Sequence, residues 1–348
     1  MPRSTEALEG EALDRVDRWL QRQVGDLEGP PQVTQYEGGA SNWTYRLRYP
    51  HRDLVLRRPP AGTKARSAHD MGREFRVQQA LHPVFPKVPR MVAFCDDPSV
   101  LGVDFYVMER LEGAILRASS QGLGAEGNRS LSRCLVDTFV ALHAVDPAAA
   151  GLAGMSKGPG YARRQIDGWS ERYRRARTWN VPRFERVMHW LDAHVPEDSG
   201  ACVLHNDFRF DNLVFDPLDP TRLVGVLDWE MATVGDPLMD VGASLAYWVE
   251  ASDDFFGRRI RLQPTHLPGM FTRAQVKAAY LEASGRSVVD WTFYEVYGLF
   301  RLAGILQQIY YRYHHRQTRN RRFRNFWLIA HYMDRRCRAL LSRVNSGV

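Results

Sequence analysis

Two polar segments, separated by two short apolar runs and a turn, form the most restrictive pattern in this 348-residue chain. The first, residues 205–212, reads His-Asn-Asp-Phe-Arg-Phe-Asp-Asn and has apolar residues on both sides. The second begins at Asp228, directly after the apolar run 223–227. Leu-Val-Phe after the first segment and this run predict two short strands joined by a Pro-Leu-Asp-Pro turn region. Such a hairpin would bring Asp228 back beside the loop.

These side chains match what phosphoryl transfer from ATP requires. One carboxylate must orient the attacking hydroxyl, and further oxygen ligands must hold Mg²⁺ on the phosphates. A loop that carries Asp207 and Asn212, facing Asp228 at a strand end, supplies those groups. The alternative is that the aspartates are solvated loop carboxylates, as a lone His-x-Asp would suggest. The joint order of loop, hairpin and Asp-Trp favours the functional interpretation.

The same residues resemble the catalytic loop and metal-binding Asp of the aminoglycoside phosphotransferase and choline kinase superfamily, whose fold is related to protein kinases. The segment 235–240, Gly-Asp-Pro-Leu-Met-Asp, is similar to the run that follows the metal Asp there. One branch is more similar still: the kinase-like domains fused to some acyl-CoA dehydrogenases, together with stand-alone bacterial proteins. The resemblance covers Thr34 to Trp248, and more weakly the C-terminal helices. It implies an α+β, bilobal protein-kinase-like fold, with a small β-rich N-lobe and a larger, mostly helical C-lobe.

The resemblance also implies roles for individual residues of the loop. Asp207 would be the catalytic residue that orients or deprotonates the substrate hydroxyl, and Arg209 would contact the γ-phosphate. Asn212 and Asp228 would ligate Mg²⁺. The expected cofactors are therefore ATP and Mg²⁺, with ATP rather than GTP left open.

Three further polar residues are predicted to be structural. His205 is expected to support the loop rather than to take part in the chemistry. Asp240, at the start of a helix, is expected to accept backbone hydrogen bonds from the catalytic loop. His143 lies on a periodic helix and is interpreted as a structural residue rather than a ligand.

The N-terminal lobe would hold the nucleotide. The turn containing Gly39, Ser41 and Asn42 fits a phosphate-covering loop, because glycines let backbone N–H groups approach phosphates. In protein kinases a lysine follows on the third strand, and here Arg57 occupies that position. An arginine can pair with an α- or β-phosphate, and with Glu74 on the next helix. This departure from the general pattern bears on nucleotide affinity and on the preference for a triphosphate.

The two lobes are predicted to meet at a hinge that follows an apolar strand. Backbone groups of Met108, Glu109 and Leu111 would contact the adenine edge. The predicted nucleotide-binding lobe is 1–112, with an N-terminal helix, and the catalytic and substrate-binding lobe is 113–348.

Periodicity supports this division of the chain. Before residue 112 it predicts mainly short strands, with helices at 8–24 and 69–81. After residue 131 it predicts helices, apart from the short strands around the polar loop. The predicted helical regions are 131–143, 165–193, 238–248, 273–284, 290–314 and 323–344.

Composition places the chain among soluble globular proteins, with 44% apolar and 25% charged residues. The four cysteines lie far apart, without metal or redox spacing, which favours a reducing cytoplasm. The N-terminus lacks the apolar core of a signal peptide, and no stretch approaches the roughly 20 apolar residues that span a bilayer. We expect a cytoplasmic protein without a membrane partner.

Charge bears on the acceptor. The net charge is +7, and from Val249 onward there are 17 Lys and Arg against seven Asp and Glu. Arginine excess can reflect codon bias alone, or a partner rich in phosphate or carboxylate. A basic C-terminal lobe disfavours cationic acceptors such as aminoglycosides or choline, although an aromatic cage could hold choline. The narrower resemblance implies a small anionic or neutral acceptor such as a hydroxyacyl-CoA.

Other interpretations stay open at this point. Arginines and aromatic residues alternate in 310–327, a pattern found in nucleic-acid-binding segments. A solvated helix pair with an arginine-rich joint is the favoured interpretation, so no nucleic acid is expected, and contact with the phosphates of a CoA-like substrate is a third. The chain could also be a nucleotide-binding pseudokinase or an interaction module. The sequence leaves the oligomeric state open.

Overall fold

The computed structural model describes residues 8–36, 42–59, 70–120 and 122–345, which form eleven α-helices and ten β-strands. They divide into two compact units. The first comprises the described residues up to Ala114, together with Val214–Pro217 and Leu223–Ala232, and the rest of the chain forms the second. A sheet-rich first unit and a mainly helical second unit confirm the predicted α+β fold class. The lobe boundary at residue 112 remains a prediction.

The first unit is built around a five-stranded antiparallel sheet in the order β1-β2-β3-β5-β4. The register places Arg57 opposite Thr44 on one neighbouring strand and Tyr106 on the other, so its side chain leaves the middle of the sheet. The elements of this unit are α1 (Gly10–Gln23), β1 (Gln32–Gln35), β2 (Trp43–Arg48), β3 (Asp53–Arg58), α2 (Met71–Leu81), β4 (Met91–Cys95), α3 (Pro98–Leu101), β5 (Phe105–Glu109) and β9 (Leu223–Val226). Strands β6 (Ala114–Ile115) and β8 (Leu213–Phe215) lie where the chain passes from one unit to the other, in a small sheet ordered β6-β8-β9.

Helices α1 and α2 form for local reasons that the sequence makes visible. Val16, Trp19 and Leu20 lie on one face of α1 and are buried, and the Trp19 ring meets Phe105 edge-on at 5.0 Å. Helix α2 begins at an N-cap, where the Asp70 side chain accepts a hydrogen bond from a backbone N–H of the first turn at 2.7 Å. The cap thus sets where α2 begins, and the apolar face of α1 sets which side of that helix is buried.

The second unit contains eight helices and two short strands among its described residues. Strands β7 and β10 pair antiparallel, directly before and after the segments that carry the polar motif. The elements of this unit are α4 (Gly124–His143), α5 (Tyr161–Ala176), α6 (Glu185–Ala193), β7 (Cys202–Leu204), β10 (Thr233–Gly235), α7 (Pro237–Leu245), α8 (Phe255–Arg259), α9 (Arg273–Ser284), α10 (Thr292–His314) and α11 (Phe326–Asn345).

Helices α7 and α10 pack backbone against backbone. A Cβ atom added at Gly298 would lie 2.0 Å from the carbonyl oxygen of Gly242, and one added at Gly242 would lie 2.4 Å from that of Tyr294. The start of α7 is fixed by Asp236, whose Oδ1 accepts from the backbone N–H of Leu238 at 2.7 Å, with Pro237 at the first helical position. Glycines at the crossing let the two helices that support the polar loop approach closely.

The predicted helices exist, with ends displaced by a few residues in most cases. Helix α9 coincides with the predicted 273–284, whereas α4 begins seven residues before the predicted start at 131. Strands β6, β7 and β10, of two or three residues each, were not predicted. Among the described helices, none combines the length and apolar character that a bilayer crossing requires.

Candidate active site

Arg57 is the centre of an ionic cluster in the first unit. Its Nη1 lies 3.4 Å from Oε1 of Glu74 on α2, and its Nη2 donates to Oδ1 of Asp228 at 2.9 Å. The Arg57 side chain is 11% exposed and that of Glu74 is 2% exposed. The structure therefore brings together three predicted site residues that are far apart in sequence.

Burial and charge act in opposite directions on this cluster. Burial favours the neutral form of Arg57, but the nearby charges of Glu74 and Asp228 dominate and raise its pKa well above the ordinary value. Burial raises the pKa of Glu74, against the opposing charge of Arg57. Both Glu74 carboxylate oxygens are buried and accept no hydrogen bond from the described residues. The Arg57 guanidinium is thus a fixed positive charge in a largely dry position.

The segment that carries Asp228 is held from its other side by α2. Asp228 has a left-handed backbone, with φ of 67°, two residues beyond the end of strand β9. Arg73 on α2 donates to the backbone carbonyl of Glu230 at 3.0 Å and also to that of Ala232. This contact from the same helix that carries Glu74 fixes the turn after Asp228.

The predicted phosphate-covering turn is described only in part, because Gly39 and Ser41 lie outside the described residues. Asn42 is 4% exposed, and its side-chain amide donates to Oε2 of Glu230 at 3.2 Å. Its Oδ1 is buried without a hydrogen-bond partner in the described part of the chain. Asn42 therefore joins the start of β2 to the segment after Asp228.

The predicted hinge residues follow one another at the end of β5. Met108 pairs with Val55 inside the sheet, and the N–H of Glu109 donates to the carbonyl of Arg90 at 2.9 Å. The Leu111 N–H has no partner among the residues that the structure describes. Of the three predicted hinge residues, Leu111 thus offers a backbone donor that the fold itself does not use.

In the second unit, the polar loop between β7 and β8 is fixed from beneath by Asp240. This carboxylate is fully buried and accepts from the backbone N–H groups of His205 at 2.7 Å and Asn206 at 2.9 Å. The prediction that Asp240 accepts backbone hydrogen bonds from the loop is confirmed. His205 is also buried, and its Nδ1 accepts from the Asp207 N–H at 3.2 Å, in agreement with a supporting role.

Asn206 forces the chain to turn just before Asp207. Its φ is 63°, a left-handed conformation that asparagine tolerates better than most residues. Arg301 on α10 donates to its carbonyl oxygen at 2.6 Å, and the Tyr161 hydroxyl donates to its Oδ1 at 3.4 Å. Contacts to main chain and side chain together hold the turn that presents Asp207.

The Asp207 carboxylate accepts hydrogen bonds from two predicted site residues. Nε of Arg209 lies 3.1 Å from both Asp207 oxygens, and Nδ2 of Asn212 donates to Oδ2 at 2.9 Å and to the Asp207 carbonyl at 2.8 Å. The Asp207 side chain remains 17% exposed. The structure therefore brings together Asp207 and Asn212, which the residue pattern placed in one site, and Arg209, which the family resemblance added.

Arg209 lies between two carboxylates and an aromatic ring. Its Nη1 donates to Oδ2 of Asp211 at 2.7 Å, and its guanidinium stacks over Tyr247, 4.9 Å from the ring centroid. Burial acts to lower the pKa of Arg209, but the charge of Asp207 and its other neighbours raises it. Burial raises the pKa of Asp211 in turn. Nη2 of Arg209 has no hydrogen-bond partner in the described ranges.

His143 forms a buried chain that ends on Asp240. Nδ1 lies 2.7 Å from the Tyr280 hydroxyl, and Nε2 lies 3.4 Å from Oδ2 of Asp240. Burial lowers the pKa of His143, and a neutral imidazole that donates from Nε2 to Asp240 accepts at Nδ1 from the tyrosine. His143 is thus part of the support beneath the loop, as predicted from its periodic helix.

The side chains predicted to hold Mg²⁺ are of the right chemical type. Because the amide nitrogen of Asn212 is committed to Asp207, its carbonyl oxygen is left without a partner among the described residues. Carboxylate and amide oxygens are the ligands that Mg²⁺ prefers. The described residues contain no group of three or more His, Cys, Asp or Glu side chains arranged around one point. A magnesium ion bound by one or two side chains and by phosphates does not need such a group.

Sequence reasoning missed several residues that fix this loop. Arg301 is 2% exposed and lies in an otherwise apolar part of α10, a placement that is rare for an unpaired charge and could have marked it. Gln263 accepts from the Phe210 N–H at 2.8 Å, and Ser244 donates to the Phe208 carbonyl at 2.6 Å. The roles of Gln263 and Ser244 could not be predicted from the sequence, because their partners are backbone groups distant along the chain.

Comparison with known proteins relates this geometry to other chains. Residues 32–278 match the family model described as "Phosphotransferase enzyme family". The chain is 36% identical over 303 residues to acyl-CoA dehydrogenase family member 10 of Mus musculus, covering 86% of this chain and 28% of that protein. The chain spans about a third of the length of the curated relatives it matches.

Solved structures agree with that assignment. The crystal structure of a candidate aminoglycoside phosphotransferase from Ralstonia eutropha JMP134 is 32% identical, with a TM-score of 0.78, and the match covers 92% of this chain and 95% of that one. Aminoglycoside 2′-phosphotransferase-IIIa in its GDP complex is 14% identical, with a TM-score of 0.61, covering 93% and 99%, and supports the kinase-like fold alone. The chain therefore belongs to the phosphotransferase enzyme family, as an ATP-dependent phosphotransferase that acts on hydroxyl groups.

Proposed function

We propose that this enzyme transfers the γ-phosphate of ATP to a hydroxyl of a small anionic or neutral acceptor, such as a hydroxyacyl-CoA. One observation carries the proposal: Asp207 is held by Asn212 and Arg209 on a loop that the buried Asp240 fixes. A carboxylate held in this way, and still partly exposed, is suited to orient a hydroxyl and to receive its proton.

Arg209 would stabilise the transferred group. Its guanidinium is anchored by Asp207 and Asp211, which leaves Nη2 to donate to a phosphate oxygen. Anchoring by two carboxylates limits the reorganisation needed when negative charge develops on the transferring phosphate. This supports a role for Arg209 in phosphate binding.

Asn212 and Asp228 would hold Mg²⁺, each through a side-chain oxygen. The bound ion would supply neutralisation of the negative charge on the nucleotide phosphates. The hydrogen bonds of Asn212 to Asp207 orient its carbonyl oxygen, and the ion pair with Arg57 orients the carboxylate of Asp228.

Arg57 and the hinge would bind the nucleotide itself. Fixed by Glu74 and Asp228, the guanidinium of Arg57 supports recognition of an α- or β-phosphate. The Leu111 N–H supports a hydrogen bond to the adenine edge, with Met108 and Glu109 contributing the neighbouring backbone. Gly39 and Ser41 remain proposed contacts to the phosphates.

The acceptor class follows from charge and from the names of the relatives. From Val249 onward the chain is strongly basic, which disfavours a polycationic acceptor. The mouse relative is named an acyl-CoA dehydrogenase family member, and the matched region is 28% of it. A phosphotransferase region within such a protein supports an acceptor related to acyl-CoA.

A second candidate is a nucleotide-binding protein without turnover. One observation favours it: Nε of Arg209 lies 3.1 Å from both oxygens of Asp207, so the ion pair competes with a substrate hydroxyl. Turnover requires this pair to loosen or to share the carboxylate with the hydroxyl.

Phosphate transfer from γ-labelled ATP with Mg²⁺, wild type beside Asp207→Asn, tests the proposal. The acceptor panel contains hydroxyacyl-CoAs, aminoglycosides, choline and simple sugars. We expect transfer to the hydroxyacyl-CoA class and a loss of about 10²–10⁴-fold in kcat for the variant, the range typical of a general base. The matched control is Asp192→Asn, an exposed carboxylate on α6 paired only with Arg163, which should retain wild-type activity.

The outcomes separate the candidates. Full activity in Asp207→Asn would contradict the assignment of Asp207. Transfer to aminoglycosides or choline alone would contradict the charge argument. Nucleotide binding with no transfer to any acceptor would favour the protein without turnover.

A further inference from the structure

The C-terminal end of α10 and the turn that follows it line an open surface cavity of about 510 Å³ within the second unit. A volume of this size is in the range of small-molecule sites. Apart from Thr318, its wall consists of aromatic and basic side chains from one stretch of chain: Tyr310, Tyr313, His314, Arg316, Arg319 and Arg321.

The arginines of this wall lack carboxylate partners. Within the described ranges, Arg316, Arg319 and Arg321 form no ion pair with an acidic side chain. Arg258 and Arg259 are likewise exposed and form no ion pair among the described residues, so what sets the three arginines apart is their position around one concavity. Three unpaired guanidinium groups around one concavity create a positive potential that favours a multiply charged anion.

Arg316 adds a second observation, because its backbone is strained. Its φ is 59°, directly after α10, where a helix that ends in this way usually has glycine. The N–H groups of Gln317 and Thr318 both donate to the carbonyl of Arg312, which closes the helix end. Arg316 thus occupies a position where glycine would be less strained.

The aromatic residues give the cavity a flat apolar wall. The Tyr310 and Tyr313 rings are stacked at 28° with centroids 6.4 Å apart, and the Tyr310 and His314 rings are 5.8 Å apart. The Tyr310 hydroxyl accepts from Asn180 at 2.9 Å, which fixes that ring. Aromatic faces beside arginines suit a ligand with a planar ring and phosphate groups.

We propose that this cavity is a second anion-binding site, which takes a small nucleotide-type ligand with a planar ring and at least two phosphate groups. A single concave site built by about a dozen consecutive residues favours a small ligand over nucleic acid, which would need a longer basic track.

The site is separate from the catalytic loop. Arg301 marks the point where α10 meets the loop, through its hydrogen bond to Asn206. Tyr310 follows nine residues later, which places it about 14 Å along the helix axis and about two and a half turns around it, on the opposite face. A ligand in the cavity therefore does not occupy the position of the hydroxyl that Asp207 would orient.

Calorimetric titration with adenosine 3′,5′-bisphosphate tests the proposal. The double variant Arg319→Ala/Arg321→Ala should bind this probe at least tenfold more weakly than wild type. The matched control is Arg258→Ala/Arg259→Ala, which removes the same charge from exposed positions on α8 and should bind within twofold of wild type. Arg57→Ala should still bind the probe, since Arg57 belongs to the other unit.

Unchanged affinity in the Arg319→Ala/Arg321→Ala variant would overturn the proposal. So would loss of binding in Arg57→Ala alone, which would assign the probe to the nucleotide site. Tighter arginine-dependent binding of a 12-nucleotide RNA than of the probe would make the surface a nucleic-acid site instead.

Two sources could supply such a ligand, and kinetics separates them. This kinetic comparison rests on the proposed transfer to a hydroxyacyl-CoA. If the cavity holds phosphates of the acceptor, the double variant raises the acceptor KM and leaves kcat unchanged. If the ligand is a separate nucleotide, the double variant loses probe binding without any change in that KM. Because probe binding is measured without turnover, failure of the transfer reaction leaves the test of the cavity intact.

Discussion

At the scale of single residues, the backbone of Arg316 is expected to lower the stability of the fold, whereas its side chain is proposed to contribute to binding in the cavity. Glycine adopts its left-handed backbone without steric cost, so Arg316→Gly should raise the free energy of unfolding by about 0.5–1 kcal/mol. The same change removes one of the three arginines of the cavity and should weaken binding of the bisphosphate probe. Urea denaturation should show a higher midpoint with an unchanged m-value.

Arg316→Ala separates the two effects. Alanine removes the same guanidinium but keeps a Cβ atom in the left-handed conformation. It should therefore lose probe binding without gaining stability. Equal stability of the glycine and alanine variants would contradict backbone strain at this position.

The catalytic loop shows how far single residues can be predicted. The order of Asp207 and Asn212 was enough to propose a common site, because the two lie within six residues of each other, and the family resemblance added Arg209 between them. The pairing of Arg209 with both oxygens of Asp207 was not predictable, since it depends on rotamers chosen by packing against Tyr247. Arg301 was missed because its partner is the backbone of a residue 95 positions away.

At the scale of elements, the crossing of α7 and α10 supports the loop. Helix α7 carries Asp240 and α10 carries Arg301, and their backbones meet at Gly242 and Gly298. Gly298→Ala would place a methyl group 2.0 Å from a carbonyl oxygen, so the helices must separate. We expect a loss of about 1–3 kcal/mol in the free energy of unfolding, measured by denaturation, together with reduced transfer activity.

A glycine in an ordinary helical position provides the control. A Cβ atom at Gly168, on α5, would approach only the flexible end of Arg172, at 3.3 Å. Gly168→Ala should be neutral or should stabilise the protein by up to about 1 kcal/mol through helix propensity. If both variants behaved alike, the close crossing would not limit stability.

Long periodic helices were predicted from the sequence more accurately than short strands. Helices with sustained periodicity, such as α9 and α10, were found close to their observed ends. Strands β7 and β10 were missed, because no turn residues mark them as a hairpin, as they mark β8 and β9, and only their pairing across the loop makes them strands. The start of α4 was missed because its first turns are polar and contain glycine.

At the scale of the whole molecule, charge and fold carry different information. The distribution of β-rich segments, glycines and prolines along the chain predicted a sheet-rich region before a helical one. The α+β fold class was predicted from that order. The excess of arginine after Val249 did not distinguish between codon bias and a partner. The structure narrows that question at one place: Arg273, Arg335 and Arg338 are paired with acidic residues, whereas Arg316, Arg319 and Arg321 line one cavity and form no ion pair within the described residues.

A thermal shift measured on the whole chain tests whether nucleotide and metal bind together. A ligand that binds only the folded protein at 100 times its Kd stabilises it by about 2.7 kcal/mol, or about 4 °C in Tm for a chain of this length. We expect that shift with ATP and Mg²⁺, and a smaller one after EDTA. Asp228→Asn should also reduce the shift, relative to its own nucleotide-free Tm, because the variant loses a charged oxygen that would face the metal.

The control for that experiment is Asp14→Asn, an exposed carboxylate on α1, which should keep the full shift. If EDTA does not reduce the Tm shift, and Asp228→Asn shows the full shift, then nucleotide binds without Mg²⁺. That outcome would contradict the proposed metal site and leave the proposed nucleotide binding intact. A shift lost in Asp228→Asn but insensitive to EDTA would instead assign Asp228 a structural role. Its ion pair with Arg57 would then hold the guanidinium for the phosphates, and the loss would follow from a displaced Arg57.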